Sequence, residues 1–276
     1  MCFGREKPID LGSTPSVPII DFMLPIKDIE KFVKNEMKNG KSVTHEFDHL
    51  KRVANGAVWF VKILGDNKEE QDIAYVAGLL HDIVRPASET ICHAKASAER
   101  SEQILNHFKI EKTTRDKIIL AVKDHRLKVE WTSPSHQSVY LADKILEQMG
   151  AFIAFRRCMY VGECDDYQNS PMIETVQKHF KKRIDRIPKT EFPERFHKLV
   201  EYQWKWLMEM NDALVNSDKW VLNIVASMYN HGKAHDIGLE KAIRKFKSFS
   251  KEDEKYKKEA LDYIDGKKWK DFEKLI

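Results

Sequence analysis

The sequence predicts an all-α fold for most of its 276 residues. From about Lys27 onward, apolar residues recur at intervals of three and four, which is the period of an amphipathic helix. Gly and Pro are few, at 11 and 9 residues, and the alternating runs of β-branched residues that indicate strands are scarce. We expect an irregular N-terminal arm (1–26), a helical domain (27–215) and a Lys-rich C-terminal helical extension (216–276).

The predicted arm is rich in Pro, Gly and Ser, which favours irregular structure lying on the domain. It lacks a charged start followed by a long apolar stretch, so it resembles neither a signal peptide nor a membrane anchor. Because no later stretch reaches the length that spans a bilayer, we expect no membrane partner.

The helices of the domain are predicted from successive stretches with this three-to-four period. They span approximately residues 27–38, 44–65, 70–82, 94–108, 113–127, 136–149, 151–163, 171–186 and 192–215. Several starts have chemical support: Asn67 and Thr113 are N-cap residue types, and Ser170 precedes a proline suited to a first helical position. In the extension, Ser250 followed by acidic residues also favours a helix start.

Composition limits the class of protein. A hydrophobic content of 42% with 14 Phe and 6 Trp is sufficient for a large core. The 47 Lys and Arg nearly balance the 43 Asp and Glu, so the net charge of +4 makes nucleic-acid binding an unfavoured interpretation. The 4 cysteines contain no Cys-x-x-Cys pair, which predicts free thiols in a reducing compartment and hence a cytoplasmic protein.

Four ionisable residues in apolar surroundings form the candidate site. His81 and Asp82 end the apolar run of residues 73–80, His49 lies upstream, and Asp143 lies within an apolar stretch downstream. Buried polar groups need partners, and neutral imidazole and carboxylate groups are both ligands of divalent metals. The predicted metal ligands are therefore His49, His81, Asp82 and Asp143, and His45 shares the predicted helix face of His49.

These residues, in this order, resemble the H…HD…D signature of the HD-domain superfamily of metal-dependent phosphohydrolases. Residues 49–53 are similar to its H-x-x-R-V motif, 78–83 to A-x-L-L-H-D-I, 142–145 to A-D-K/R-L and 149–154 to G-A-I-G-I-A. The resemblance covers about residues 28–215. It implies a helical HD domain that binds one or two divalent ions, which activate water to attack phosphorus. Mn, Fe, Co, Ni, Zn and Mg all remain candidate metals.

Positive side chains near the ligands are candidates for phosphate binding. Arg52, Arg126 and Lys144 are closest in sequence to the ligands, and Lys144 is the first choice. We assign catalytic roles to Asp82 and Lys144. His93 and His125 are assigned to the substrate side, although binuclear members of the family use histidines in this interval for a second metal.

The sequence departs from the family pattern at two places, and it contains one decoy. The 5′-deoxynucleotidase branch has a Glu at the position of Arg85, which disfavours that branch. The spacing from Asp143 to Gly150 is one residue longer than the usual pattern. The pair His235-Asp236 copies the H-D letters in a polar, Gly-containing setting, where Asp236 is expected to cap the next helix.

The favoured function is hydrolysis of a phosphoester or diphosphate bond in a small phosphorylated substrate, with nucleotides as one candidate class. A phosphodiesterase of cyclic or short oligonucleotides, with a two-metal site, is the second hypothesis. The third is a non-catalytic regulatory or nucleic-acid-binding module that is stabilised by a metal. Assembly into a homo-oligomer is left open.

Overall fold

The computed structural model describes residues 24–38, 40, 42–85, 92–186 and 192–276. Within these ranges the secondary structure is helical and contains no β-strand, which confirms the all-α prediction. Residues 1–23 of the predicted arm lie outside the described residues, and Ile26, assigned to the arm, begins the first helix.

The helices follow the predicted order, with shifts of a few residues at their ends. They are α1 (Ile26–Met37), α2 (Phe47–Leu64), α3 (Lys68–Leu80), α4 (His93–His107), α5 (Lys112–Asp124), α6 (Pro134–Leu141), α7 (Gly150–Glu163), α8 (Met172–Arg186), α9 (His197–Val215), α10 (Lys219–Ala234), α11 (Leu239–Lys245), α12 (Lys251–Ile264) and α13 (Trp269–Glu273). A π-helical segment, Ala142–Glu147, continues α6.

The first half of the core forms where α2 packs against α3 and α6. The apolar run of α3 is buried as its composition predicts, and Leu50 and Phe60 of α2 are fully buried beside it. Gly78 permits the close approach of α3 to α2, because a Cβ at this position would lie 2.5 Å from Cα of Ala54. This packing brings His49, in the first turn of α2, close to His81, which follows α3.

The second half of the core surrounds α7, which packs against α9, α10 and α12. At the crossing with α10, a Cβ on Gly162 would lie 2.1 Å from the carbonyl oxygen of Tyr229, and one on Gly232 would lie 2.0 Å from that of Met159. The two helices therefore meet backbone to backbone. Residues of the predicted C-terminal extension thus pack directly against residues of the predicted domain.

The chain between Asp143 and Gly150 consists of the π-helical segment and of residues 148 and 149, which precede α7. A π-helix closes its hydrogen bonds over one more residue than an α-helix, so it accommodates an extra residue without ending the helix. Asp143 and Glu147 both lie in this segment and are only 3% and 0% exposed. The π-helical segment therefore carries two buried carboxylates.

Several local predictions can be compared with the structure. Asn67 caps α3 by accepting from the backbone N–H of Glu70, and Ser250 forms a capping box with Asp253. The predicted cap at Thr113 is wrong, because Glu111 accepts from the amides that begin α5. The placement of His45 on α2 is also wrong, since the helix begins at Phe47.

No helix in the described part of the chain has both the length and the apolar character needed to cross a membrane. Within that part, Cys92 and Cys158 are free thiols.

Candidate metal centre

The four predicted ligands converge from three elements. His49 comes from α2, His81 and Asp82 from the turn after α3, and Asp143 from the π-helical segment. All are buried, with exposures of 1%, 0%, 4% and 3% in that order. Ligand atoms of His49, His81 and Asp143 all lie within 4.8 Å of one another, a spacing that could hold a metal ion.

The Asp82 carboxylate lies at the centre of four imidazoles. Its Oδ2 is 3.6 Å from Nε2 of His49 and 3.6 Å from Nε2 of His81. Its Oδ1 is 3.4 Å from Nε2 of His93 and 3.6 Å from Nε2 of His125. The structure thus brings His93 and His125, predicted on the substrate side, onto the second oxygen of the same carboxylate.

Backbone carbonyls determine which nitrogen carries the proton in two of these rings. Nδ1 of His81 lies 2.8 Å from the carbonyl oxygen of Gly78, and Nδ1 of His125 lies 2.6 Å from that of Val122. A carbonyl oxygen only accepts, so each Nδ1 is the donor and each Nε2 of the neutral ring carries a lone pair. Those lone pairs point into the space around Asp82.

Burial keeps the imidazoles of His81, His93 and His125 neutral. It lowers the pKa of His81, and it lowers the pKa of His125 to about 3 and that of His93 to about 4, although the charge of Asp82 opposes each shift. For Asp82, burial opposes ionisation, but the charge of Arg85 holds its pKa well below the usual range. Neutral rings therefore face an ionised carboxylate at neutral pH.

Lone pairs that face a carboxylate at such distances repel it, and a cation between them converts the repulsion into coordination. Nε2 of His81 is buried and has no hydrogen-bond partner among the described residues. A second group, formed by Asp82, His93 and His125, has its ligand atoms within 4.8 Å of one another, as does a third that adds His45 to His49 and Asp82. The residues present therefore fit a divalent metal.

Glu147, which the sequence analysis did not identify, orients the ring of His49 through its Nδ1. Its Oε2 lies 2.9 Å from Nδ1 of His49, and the carboxylate is 0% exposed. The proton on His49 therefore lies on Nδ1, and Nε2 carries the lone pair, which accepts from a guanidinium nitrogen of Arg156 at 3.2 Å. Nε2 is the nitrogen that would coordinate a metal in place of this contact. The signal was present in the sequence, because a carboxylate in the apolar stretch after Asp143 needs a buried partner.

Positive side chains surround the acidic ligands. Nζ of Lys144 lies 2.6 Å from Oδ2 of Asp143, and a guanidinium nitrogen of Arg85 lies 3.2 Å from Oδ2 of Asp82. Arg126 is exposed and contributes, after burial, to the lowered pKa of His93. Lys144 therefore lies beside a predicted ligand, and the phosphate-binding roles of Lys144 and Arg126 stay predictions. Arg85, used in the sequence analysis only to disfavour a branch of the family, is an additional cation.

The structure places Arg52 against Glu147, the carboxylate that contacts His49, rather than beside Lys144 and Arg85. Its Nε donates to Oε1 of Glu147 at 2.8 Å, and its other nitrogens contact Glu147 and Glu240. The guanidinium also lies 4.6 Å from the centre of the Phe152 ring. Its predicted contact with substrate stays a prediction, whereas its contact with the carboxylate that orients His49 is observed.

The decoy pair lies on the surface at the end of α10. Asp236 lies 2.9 Å from Nδ1 of His231, and Gly238, not Asp236, is the N-cap of α11, so the expected cap is wrong. His235 ends α10 with a φ of +48°.

Comparison with known proteins gives one match. Residues 47–147 match the family model of the HD domain. No curated protein and no solved structure matches the chain significantly. The matched range runs from the first residue of α2 to Glu147 and includes the four predicted ligands, His93 and His125.

Proposed function

We propose that this chain, which carries an HD domain at residues 47–147 and so belongs to the HD-domain superfamily, is a metal-dependent phosphohydrolase. It cleaves a phosphoester or diphosphate bond in a small phosphorylated substrate. The observation that carries the proposal is the Asp82 carboxylate enclosed by Nε2 atoms of four histidines at 3.4 to 3.6 Å.

His49, His81, Asp82 and Asp143 would hold the metal. A divalent cation at such a site lowers the pKa of a water toward neutrality and offsets negative charge that develops on phosphoryl oxygens. Asp82, ionised at neutral pH, accepts a hydrogen bond and orients the attacking water. Glu147 keeps His49 in the tautomer that coordinates through Nε2.

Lys144, Arg85 and Arg126 supply the positive charge that a phosphorylated substrate requires. The side chain of Lys144 is 15% exposed and that of Arg85 is 23% exposed, so both are partly shielded from water, where hydrogen bonds to an anion are stronger. In the catalytic step, Lys144 donates to a phosphoryl oxygen. Three cations around one site favour a substrate with more than one negative charge, such as a nucleotide.

Phosphate release tests the proposal. The purified protein, reconstituted separately with Mn²⁺, Co²⁺, Ni²⁺, Zn²⁺ and Mg²⁺, is assayed for phosphate and pyrophosphate release from a panel of nucleoside mono-, di- and triphosphates. Because Asp82→Ala removes the central carboxylate, we expect a loss of about 100-fold or more. The matched control is Asp236→Ala, which removes the aspartate of the decoy pair and leaves the rate unchanged.

Equal rates in Asp82→Ala and the unmodified protein would contradict the catalytic assignment. Metal binding without release from any substrate would instead favour the metal-stabilised regulatory module.

A second candidate is a phosphodiesterase of cyclic or short oligonucleotides with two metal ions. The observation that favours it is the position of Asp82, whose Oδ2 faces His49 and His81 while Oδ1 faces His93 and His125. A carboxylate with ligand sets on both oxygens can bridge two cations.

Metal stoichiometry separates the two candidates. On the phosphodiesterase hypothesis, elemental analysis gives two ions per chain for the unmodified protein and one for His125→Asn, which removes one ligand of the second group. Hydrolysis of a cyclic dinucleotide should fall with the second ion. A single ion in the unmodified protein removes this candidate.

A further inference from the structure

Glu147 is a buried carboxylate whose hydrogen-bonding capacity is filled. Its Oε1 accepts from Nε of Arg52 at 2.8 Å and from the hydroxyl of Tyr263 at 2.6 Å. Its Oε2 accepts from Nδ1 of His49 at 2.9 Å and from the NH2 nitrogen of Arg52 at 3.1 Å. A carboxylate has about four lone-pair sites, so these donors fix its orientation.

Tyr263 belongs to α12, in the last part of the chain and outside the HD match. It is 6% exposed, and its ring packs against Phe152 with centroids 5.5 Å apart. Burial and the charge of Glu147 raise the pKa of its phenol well above the usual value, so the hydroxyl stays protonated and donates. The contact is therefore a charge-assisted hydrogen bond in a dry environment.

A second contact links the C-terminal segment to Glu147 through Arg52. Arg52, which donates twice to Glu147, is itself paired with Glu240 of α11. Two helices of the C-terminal segment thus reach the carboxylate, one directly through Tyr263 and one through Arg52. Residues far along the chain complete the support of a candidate metal ligand.

We propose that Tyr263 is a positioning residue for the metal centre: by holding Glu147 it fixes the ring of His49, so the C-terminal segment sets the affinity of the site for a divalent cation. The inference rests on the proposed metal site. Without the phenol, one lone pair of Glu147 is left unmatched in a buried place, and the carboxylate can turn about its Cγ–Cδ bond. The ring of His49 then loses its single orientation, and its Nε2 is less often aimed at the cation.

Tyr263→Phe tests this inference because it removes only the hydroxyl. The matched control is Tyr256→Phe on the same helix, since the hydroxyl of Tyr256 is buried and donates to the backbone carbonyl of Trp206 at 2.7 Å. Binding of Mn²⁺ to the metal-free full-length chain is measured by titration calorimetry, and unfolding is measured with urea. We expect Mn²⁺ binding about 10-fold weaker in Tyr263→Phe, at the low end for loss of an outer partner.

The control separates positioning from general stability. Both substitutions remove one tyrosine hydrogen bond, so both should lower the free energy of unfolding, and Tyr263→Phe should lower it more because its bond is charge-assisted. Only Tyr263→Phe should change the Kd for Mn²⁺. An unchanged Kd in Tyr263→Phe, or an equal change in Tyr256→Phe, would overturn the inference.

A double-mutant cycle tests whether Tyr263 acts through Glu147. Glu147→Gln should weaken Mn²⁺ binding by about 10 to 100-fold, because it removes the carboxylate that His49 contacts. In that background, adding Tyr263→Phe should change the Kd less than 2-fold, whereas additive effects would contradict action through Glu147.

The outcome is distinguishable from failure of the proposed function. If the unmodified chain releases no phosphate but Tyr263→Phe weakens Mn²⁺ binding, the positioning role stands and the hydrolase proposal falls. If hydrolysis depends on Asp82 while both Tyr variants bind Mn²⁺ normally, only the positioning role falls. An unmodified chain that binds neither Mn²⁺ nor Co²⁺, Ni²⁺, Zn²⁺ or Mg²⁺ overturns both.

Discussion

Burial in the folded chain disfavours protonation of the imidazoles around Asp82, although the charge of Asp82 favours it. The structure keeps His125 and His93 neutral by burial, with pKa values of about 3 and about 4. The unfolded chain has no such burial, so its histidines take up protons near pH 6.5. The metal-free site therefore makes folding sensitive to mild acid.

This sensitivity gives a prediction with a definite sign. Below pH 6.5 the unfolded chain binds a proton at His125, whereas the folded chain does not until about pH 3. The free energy of unfolding of the chelator-treated protein therefore falls as pH falls through this window. For His125 alone the loss between pH 7 and pH 5 is about 2 kcal/mol, measured by urea unfolding.

His125→Asn should reduce the difference in the free energy of unfolding between pH 7 and pH 5 by this amount. The control His107→Asn, at an exposed position ending α4, should change it by less than about 0.5 kcal/mol. A His125→Asn protein with the full pH dependence would show that His125 titrates normally in the folded chain.

At the same scale, the sequence predicts side chains with special chemistry better than it predicts their partners. The order of His49, the His81-Asp82 pair and Asp143 was sufficient to propose ligands that the structure brings together. The partners of Glu147 could not be read in this way, because they are 95 to 116 residues away from it in sequence. Hydrogen bonds at such separations depend on helix packing, which a periodic pattern does not specify.

Among the elements, the crossing of α7 and α10 depends on two glycines. Each glycine faces a carbonyl of the opposite helix at a distance that excludes a Cβ atom. Glycine normally weakens a helix interior, so its presence at Gly162 and Gly232 is explained by packing rather than by helix propensity.

Gly162→Ala should therefore destabilise the protein, although the same change in an open helix is stabilising. A Cβ at 2.1 Å from the carbonyl of Tyr229 forces α7 and α10 apart, and overpacking of this kind lowers the free energy of unfolding by about 2 kcal/mol or more. Asn230→Ala, at an exposed position of α10, is the control and should stay within about 0.5 kcal/mol. Thermal and urea unfolding measure both, and a stabilised Gly162→Ala would refute the close crossing.

Helix boundaries show what a periodic pattern leaves undetermined. A periodic pattern cannot show that Ala142–Glu147 is π-helical. The choice between an α-helix and a π-helix depends on where one extra residue is best accommodated. Nor does the pattern show that His45 precedes α2, although its ring still lies 5.4 Å from that of His49. Element type was predictable here, whereas local geometry beside the site was not.

At the scale of the whole molecule, the packed structure extends beyond the residues that match the HD domain. The match ends at Glu147, yet α10 and α12 pack on α7, and Glu240 and Tyr263 reach the site's supporting network. The sequence predicted this last part as a Lys-rich helical extension because its exposed faces are highly charged. Its buried residues are spread among many lysines, so the composition did not reveal a contact with the site.

The position of Tyr263 has a consequence for how the protein matures in the cell. Translation proceeds from the N-terminus, and domains fold as they emerge from the ribosome. A nascent chain that has already produced His49 and Glu147 still lacks the phenol, because Tyr263 follows Glu147 by 116 residues. On the positioning role inferred for Tyr263, tight cation capture is acquired only after α12 has been synthesised, so shorter nascent chains compete poorly for the metal supply.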